Sequence, residues 1–280
     1  MITTTNATDR PSVAEHLAIV AGDSITIAKR NVIKIKRVPD VLIFSTLSPI
    51  MFVLLFAYIF GSAITMQGTS YREFLIAGIF AQTSVFGATF TGTSLAEDMQ
   101  RGIIDRFRSL PMAPSAVLVG RTVADVVINV VSLVVMSITG LIVGWRIHGS
   151  FLETVLAYVL LLLFAYAISW IMAVVGLLVR APEVFNNASF MVIFPLTFIA
   201  NTFVPSDVLP TPLRVIAEWN PVSAVTQATR DLFGNTSPAH PTPDVWSLQH
   251  PVVTTLIWVV AILVIFVPLA LWQFKRSVSR

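Results

Sequence analysis

The chain has 280 residues, 55% of them hydrophobic and 12% charged, with a formal net charge of +3. Soluble domains carry roughly 25% charged residues, and a folded surface in water needs polar cover that this composition does not supply, so a water-soluble globule is excluded. Cysteine is absent, which removes disulfides, thiolate chemistry and cysteine-ligated metal centres, and the four histidines, His16, His148, His240 and His250, fall in no metal-binding spacing.

Residues 1–12 are polar and read as a disordered tail rather than a signal peptide, because no basic stretch leads into an apolar run. Residues 13–38 interleave apolar and charged positions. Lys29, Arg30, Lys34, Lys36 and Arg37 cluster beside Ile25, Val32, Ile33 and Ile35. That pattern suits an amphipathic helix lying in the cytoplasmic interface with its cations near anionic headgroups; a simple basic flank of the next segment is the alternative.

The remainder, 39–280, reads as a six-span transmembrane domain. About 20 residues at roughly 1.5 Å rise cross a hydrocarbon core of about 30 Å. The first span is expected at 41–61, with Pro49 inside it. The second, at 74–96, is rich in small and hydroxyl residues, including Gly78, Ser84, Gly87, Thr91 and Gly92. Small residues let membrane helices approach closely and hydroxyls bond across them, so this helix is expected inside the bundle. A charged stretch from Glu97 to Pro114 follows. The third span is expected at 117–143, where Arg121 and Asp125 stand four apart and can pair on one face. The fourth, at 153–178, is strongly apolar. The fifth, at 184–203, holds Asn186, Asn187, Pro195 and Asn201. Residues 204–250 contain no run long enough to cross. Their first part, near 211–233, suits short helices in the outer interface that dip inward. The sixth span, at 252–272, precedes the basic tail QFKRSVSR.

Six spans put both termini on one side. That side holds fourteen of the eighteen Lys and Arg residues; the other holds Arg72, Arg146, Arg214 and Arg230. The positive-inside rule then places both termini in the cytoplasm of a multi-pass protein of the cell membrane. The same distribution accounts for the basic pI of about 9.5, so no nucleic acid partner is inferred.

There is no P-loop, no dinucleotide-binding glycine pattern and no nucleophile elbow. Buried charges are too few for a carrier built on intramembrane carboxylates. Energy for uphill movement must therefore come from a partner, and the 97–114 segment is where a push could enter.

Two longer stretches resemble the membrane subunit of ABC-2 type exporters, in particular the daunorubicin-resistance-like permeases. One is EDMQRGIIDRFRSLPMAPSAVLVGR, with Glu97, Gly102, Arg108, Leu110, Pro111, Gly120 and Arg121 at the family's pattern positions. The other is FVPSDVLPTPLRVIAEWNPVSAVTQATRDLFGN, with Pro205, Leu209, Pro210, Asn220, Pro221 and Arg230. The amphipathic start and the six-span layout agree. The resemblance implies an all-α integral membrane protein with an interfacial N-terminal helix and short re-entrant helices before the last span. It implies a permease that moves a hydrophobic drug, lipid or glycolipid outward and is not itself an enzyme. Its partners would be two cytoplasmic ABC ATPase subunits, which bind the ATP and magnesium, a second permease copy or paralogue, and membrane lipids; this chain itself would bind no cofactor and no metal.

By the same resemblance, Glu97, Arg101, Gly102, Arg106, Phe107, Arg108, Leu110 and Pro111 would form the segment that couples to the ATPase. The arginines suit headgroup contacts equally. Pro205, Pro210, Asn220, Pro221 and Arg230 would belong to the outer gate. Candidate pathway residues are Phe44, Phe52, Phe56, Phe80, Phe86, Phe90, Phe190 and Phe194, although nineteen phenylalanines suit a lipid-facing surface as well. Two other classes stay open: a non-transporting membrane scaffold and an ion-coupled carrier.

Overall fold

The computed structural model describes residues 22–24, 26–29, 33, 47, 49–60, 70–103, 114–179, 181–236 and 242–278. The tail at 1–12, Phe44, and Arg106, Phe107, Arg108, Leu110 and Pro111 lie outside the described residues. All regular structure among the described residues is helical.

Helix α1, Pro49–Ile59, is apolar and ends in the π-helical turn Phe56–Phe60. Helices α2, Tyr71–Gly87, and α3, Thr89–Gln100, make one nearly continuous rod joined at Ala88. Ser70 starts it, through a capping box in which Ser70 accepts from the first turn and Glu73 reaches back to the Ser70 N–H. Helix α4 spans Pro114–Val143 and α5 spans Phe151–Leu178. Ser150 and Glu153 repeat the capping box at the start of α5. Helix α6, Pro182–Ile199, opens with proline, which lacks the N–H that a first turn leaves unused. Two short helices follow, α7 at Thr211–Trp219 and α8 at Pro221–Phe233, and then the long α9 at Pro251–Val278.

Among the described residues, four stretches are long and apolar enough to cross a bilayer: Tyr71–Gln100, Ala116–Val143, Phe151–Leu178 and Pro251–Arg276. They coincide with the second, third, fourth and sixth expected spans. The first and fifth fall on the shorter α1 and α6.

Helix α5 is the hub and touches α2, α3, α4, α8 and α9. Lipid tails are as apolar as leucine, so helices in a bilayer associate by close packing rather than by escape from water. The α3–α5 crossing shows this. A Cβ on Gly176 would lie 2.5 Å from the Gly92 carbonyl oxygen, and one on Gly92 would lie 2.6 Å from the Met172 carbonyl oxygen. The glycines let two backbones touch. Helix α9 is the other extreme, with Val253, Ile257, Val260, Val264 and Ile265 exposed as a hydrocarbon-facing surface requires.

The described N-terminal residues are helical. Ile27 is buried while Lys29 is exposed. A Cβ on Gly120 would lie 2.7 Å from the Ser24 carbonyl oxygen, so this stretch sits directly on α4. Ile27 joins a cluster with Leu95, Val117, Trp170 and Phe274.

Candidate transport site

Three features of the bundle bear on function: a buried ion pair at one end, a phenylalanine-lined cavity midway, and a capped chain break at the other end.

The ion pair joins α3 to α4. Arg121 Nη1 donates to Asp98 Oδ2 at 2.5 Å, and both side chains are buried. Asp125 instead accepts from the Thr91 hydroxyl. The i, i+4 pairing expected of Arg121 and Asp125 is thus replaced by two cross-helix contacts. The reason is geometric: α3 and α4 flank the 101–113 segment and lie side by side, which brings Asp98 to the guanidinium. Asp98 carried no distinguishing signal in the sequence; only the packing reveals it. Glu97 and Arg101 face outward and form a 3.8 Å pair with each other. An exposed i, i+4 pair is worth only a few tenths of a kcal/mol, so both remain available to a partner. Gly102 follows with φ +62°, a left-handed turn that favours glycine.

The cavity has a volume of about 300 Å³ and lies between α1, α2, α3, α4 and α6. Phe52, Phe86, Phe90, Phe190 and Phe194 supply its aromatic lining. Gln82, Thr83 and Ser132 supply polar groups, and Pro49, Gly87 and Thr89 complete the lining. An apolar pocket with a few placed polar groups is the usual form of a small-molecule site. From here a ladder of rings climbs α6: Phe86 to Phe190 at 6.4 Å, Phe190 to Phe194 at 5.0 Å, and Phe194 to Phe198 at 4.1 Å. It continues through Phe203 to Phe56, at 4.7 Å and 4.6 Å. Phe80 sits elsewhere, packed edge-on against Trp145 and Phe233 in the core.

Beside Phe198 and Phe203 the helix α6 stops, at Ile199. Carbonyls at a helix end inside a membrane need donors, because no bulk water reaches them. Asn220 Nδ2 donates to the Leu196 carbonyl at 2.7 Å. Arg230 donates to the carbonyls of Asn201, Thr202 and Phe74, and its guanidinium lies 3.5 Å from the centre of the Phe74 ring. The Tyr71 hydroxyl donates to the Phe203 carbonyl at 3.2 Å. Asn220 also caps α8 through the Val222 N–H, and Pro221 occupies its first turn. The motif residues Asn220, Pro221 and Arg230 therefore seat α8 in the bundle and close off the end of α6. Pro205 and Pro210 flank the short turn Ser206–Val208, next to α7. Arg230→Lys keeps the charge but loses the fork that spans three carbonyls. It is expected to cost about 1–3 kcal/mol, read as a lowered melting temperature in detergent.

The helical bundle, with four described stretches long and apolar enough to cross a bilayer, defines a multi-pass membrane protein. Residues 24–233 match the family described as ABC-2 type transporter, and the chain belongs to that family. It is 34% identical over 235 residues to the daunorubicin resistance ABC transporter permease protein DrrB1 of Streptomyces coeruleorubidus, covering 84% of this chain and 82% of that one. It is 22% identical over 231 residues to the probable doxorubicin resistance ABC transporter permease protein DrrC of Mycobacterium tuberculosis, covering 82% and 80%. A putative transport permease, ycf38, of Cyanophora paradoxa is 23% identical over 215 residues, covering 75% and 74%. The chain is therefore a multi-pass permease, similar to permease subunits of drug-resistance transporters.

Proposed function

We propose that this chain is the permease subunit of an ATP-driven ABC exporter that moves a hydrophobic drug, lipid or glycolipid out of the cytoplasm or inner leaflet. The observation that carries the reading is the cavity lined by Phe52, Phe86, Phe90, Phe190 and Phe194, continued by the ring ladder along α6. It offers an apolar or aromatic solute a continuous surface, and the polar groups of Gln82, Thr83 and Ser132 orient it.

In this reading the protein has six spans and both termini in the cytoplasm, with α1 and α6 completing the first and fifth. Two cytoplasmic ABC ATPases hold the ATP and magnesium, and a second permease copy or paralogue completes the pathway. ATP binding closes the ATPases and displaces the segment around 97–111. Because Asp98 and Arg121 clamp the two helices on either side of that segment, a push on it moves α3 and α4 together. Both helices line the cavity, so the displacement reaches the solute. Helices α7 and α8 form the re-entrant outer closure, held by Arg230 and Asn220.

Arg108→Glu is expected to weaken ATPase association and leave membrane insertion intact, since charge pairs across an interface set register and specificity. Co-purification in detergent at fixed salt reads it. Unchanged ATPase recovery would remove Arg108 from the contact. Solute movement that proceeds without any ATPase would favour an ion-coupled carrier. A stable partner lacking ATPase motifs would favour a scaffold.

A further inference from the structure

Helix α7 turns its apolar side outward and its charged side inward. Pro212, Val215, Ile216 and Trp219 stand at i, i+3, i+4 and i+7, so they share one face. All four are exposed, the last three at 53% each. The opposite face carries Arg214, Ala217 and Glu218. Ala217 and Glu218 are buried, and Arg214 is half-buried. The fold occupies that inward face. Arg214 Nη2 donates to the Asp207 and Leu209 carbonyls at 2.7 and 3.3 Å, and the Ser247 hydroxyl donates to the Glu218 carbonyl. A surface helix in water is oriented the other way round, with arginine and glutamate outward. An exposed apolar face of this kind marks a contact with lipid or with protein.

The surroundings of the face match the boundary of a bilayer. The Ser247–Glu218 bond sets the helical turn Trp246–Gln249 against the end of α7. Trp246 and Trp219, each next in sequence to a bonded residue, therefore stand close to one level, and Trp246 is 48% exposed. Tryptophan has an apolar body and one N–H, and it gathers where headgroups meet acyl chains. From this turn the chain passes directly into α9 at Pro251. The exposed Val253 and Ile257 at that end of α9 belong to its hydrocarbon-facing surface. The outward face of α7 thus continues a surface that already meets lipid.

We propose that the face formed by Pro212, Val215, Ile216 and Trp219 is a lipid-binding surface. It seats among the acyl chains of the glycerophospholipid leaflet at this end of the bundle, with Trp219 and Trp246 at the headgroup boundary. The inference goes beyond the exporter reading and does not depend on it, since it needs a bilayer but neither a direction of transport nor an energy source. Lipid then supports α7 from the side that the rest of the chain leaves uncovered.

The chain has no cysteine, so a single spin label can be placed without removing a native thiol. Val215→Cys and Ile216→Cys are labelled one at a time in the full-length chain, in vesicles of phosphatidylcholine and phosphatidylglycerol. Collisions are measured with oxygen, which concentrates in hydrocarbon, and with nickel ethylenediaminediacetate, which stays in water. Val260→Cys on α9 is the lipid reference and the exposed Asp207→Cys the water reference. Labels on α7 should match the lipid reference in oxygen collision within about two-fold and meet nickel at least about three-fold less than the water reference. A nickel-accessible label means that the face meets water. A label shielded from both reagents means that protein, such as a second copy, covers it. Either result overturns the proposal.

Trp219→Phe gives a reading without a label. The emission lost in that variant is the contribution of Trp219. It should be at least about two-fold smaller in vesicles of dibrominated phosphatidylcholine than in the unbrominated lipid; an equal contribution overturns the proposal. Neither measurement involves an ATPase or a nucleotide. Failure of the lipid seat therefore leaves the exporter reading standing, and failure of the exporter reading leaves both results unchanged.

Discussion

Asp98→Ala should lower folding stability by about 3–5 kcal/mol, because it leaves the Arg121 guanidinium buried with no carboxylate to meet it. Arg121 is itself buried, and its Nη1 lies 2.5 Å from Asp98 Oδ2. Arg121→Ala should cost a similar amount by stranding Asp98 in turn. The double variant Asp98→Leu/Arg121→Met should recover most of the loss, since removing both charges together leaves nothing unpaired and apolar side chains refill the space. Melting of the detergent-solubilised permease gives the three values. Single variants as stable as the wild type would mean that the pair is not buried in the native protein. The double variant has a second use. If the pair couples the ATPase-facing segment to the cavity, restored stability should come without restored solute-stimulated ATP hydrolysis.

Gly176→Val is the second large effect. The nearest atoms to an added Cβ are Gly92 backbone atoms at 2.5, 2.7 and 3.0 Å, none of which is the end of a flexible side chain. The α3 and α5 backbones must separate, and neighbouring contacts around Trp170 and Leu95 open with them. Overpacking of this kind costs about 3 kcal/mol or more when backbone rather than side chain must yield. Size-exclusion profiles and yield of monodisperse protein measure it. Gly22, with nothing among the described residues within 4 Å of its added Cβ, is the matched control, and Gly22→Val should leave the profile unchanged.

Much of the architecture was legible from composition alone. Strongly apolar runs at 117–143, 153–178 and 252–272 could satisfy their backbone only as helices, and the structure has long helices at each. The small-residue character of 74–96 pointed to a helix inside the bundle, and α2 is almost wholly buried. The region after residue 204 was readable as short helices for the same reason: its apolar runs are interrupted by Pro210 and Pro221, each of which stands at a helix start.

Contacts between helices were not legible in the same way. Spacing put Arg121 beside Asp125, yet Asp98 from the neighbouring helix takes the guanidinium. Periodicity along one helix records which residues share a face but says nothing of what the next helix presents to it. Phenylalanines at positions 80 and 86 look equivalent in sequence. One is locked against Trp145 and Phe233, and the other faces the cavity. The Asn-Pro and Arg motif could be recognised at 220–230, but its physical task, donating to the carbonyls where α6 ends, appeared only with the fold.

The sequence by itself determined that this chain lives in a bilayer and where its long apolar helices begin. These follow from the transfer free energy of each segment and from local capping, which depend on neighbours in the chain. Tertiary structure alone decided which charge meets Arg121, which rings line the cavity and which hydroxyl meets Asp125. Those depend on how the surfaces of separate helices interlock, and a one-dimensional pattern does not carry that information.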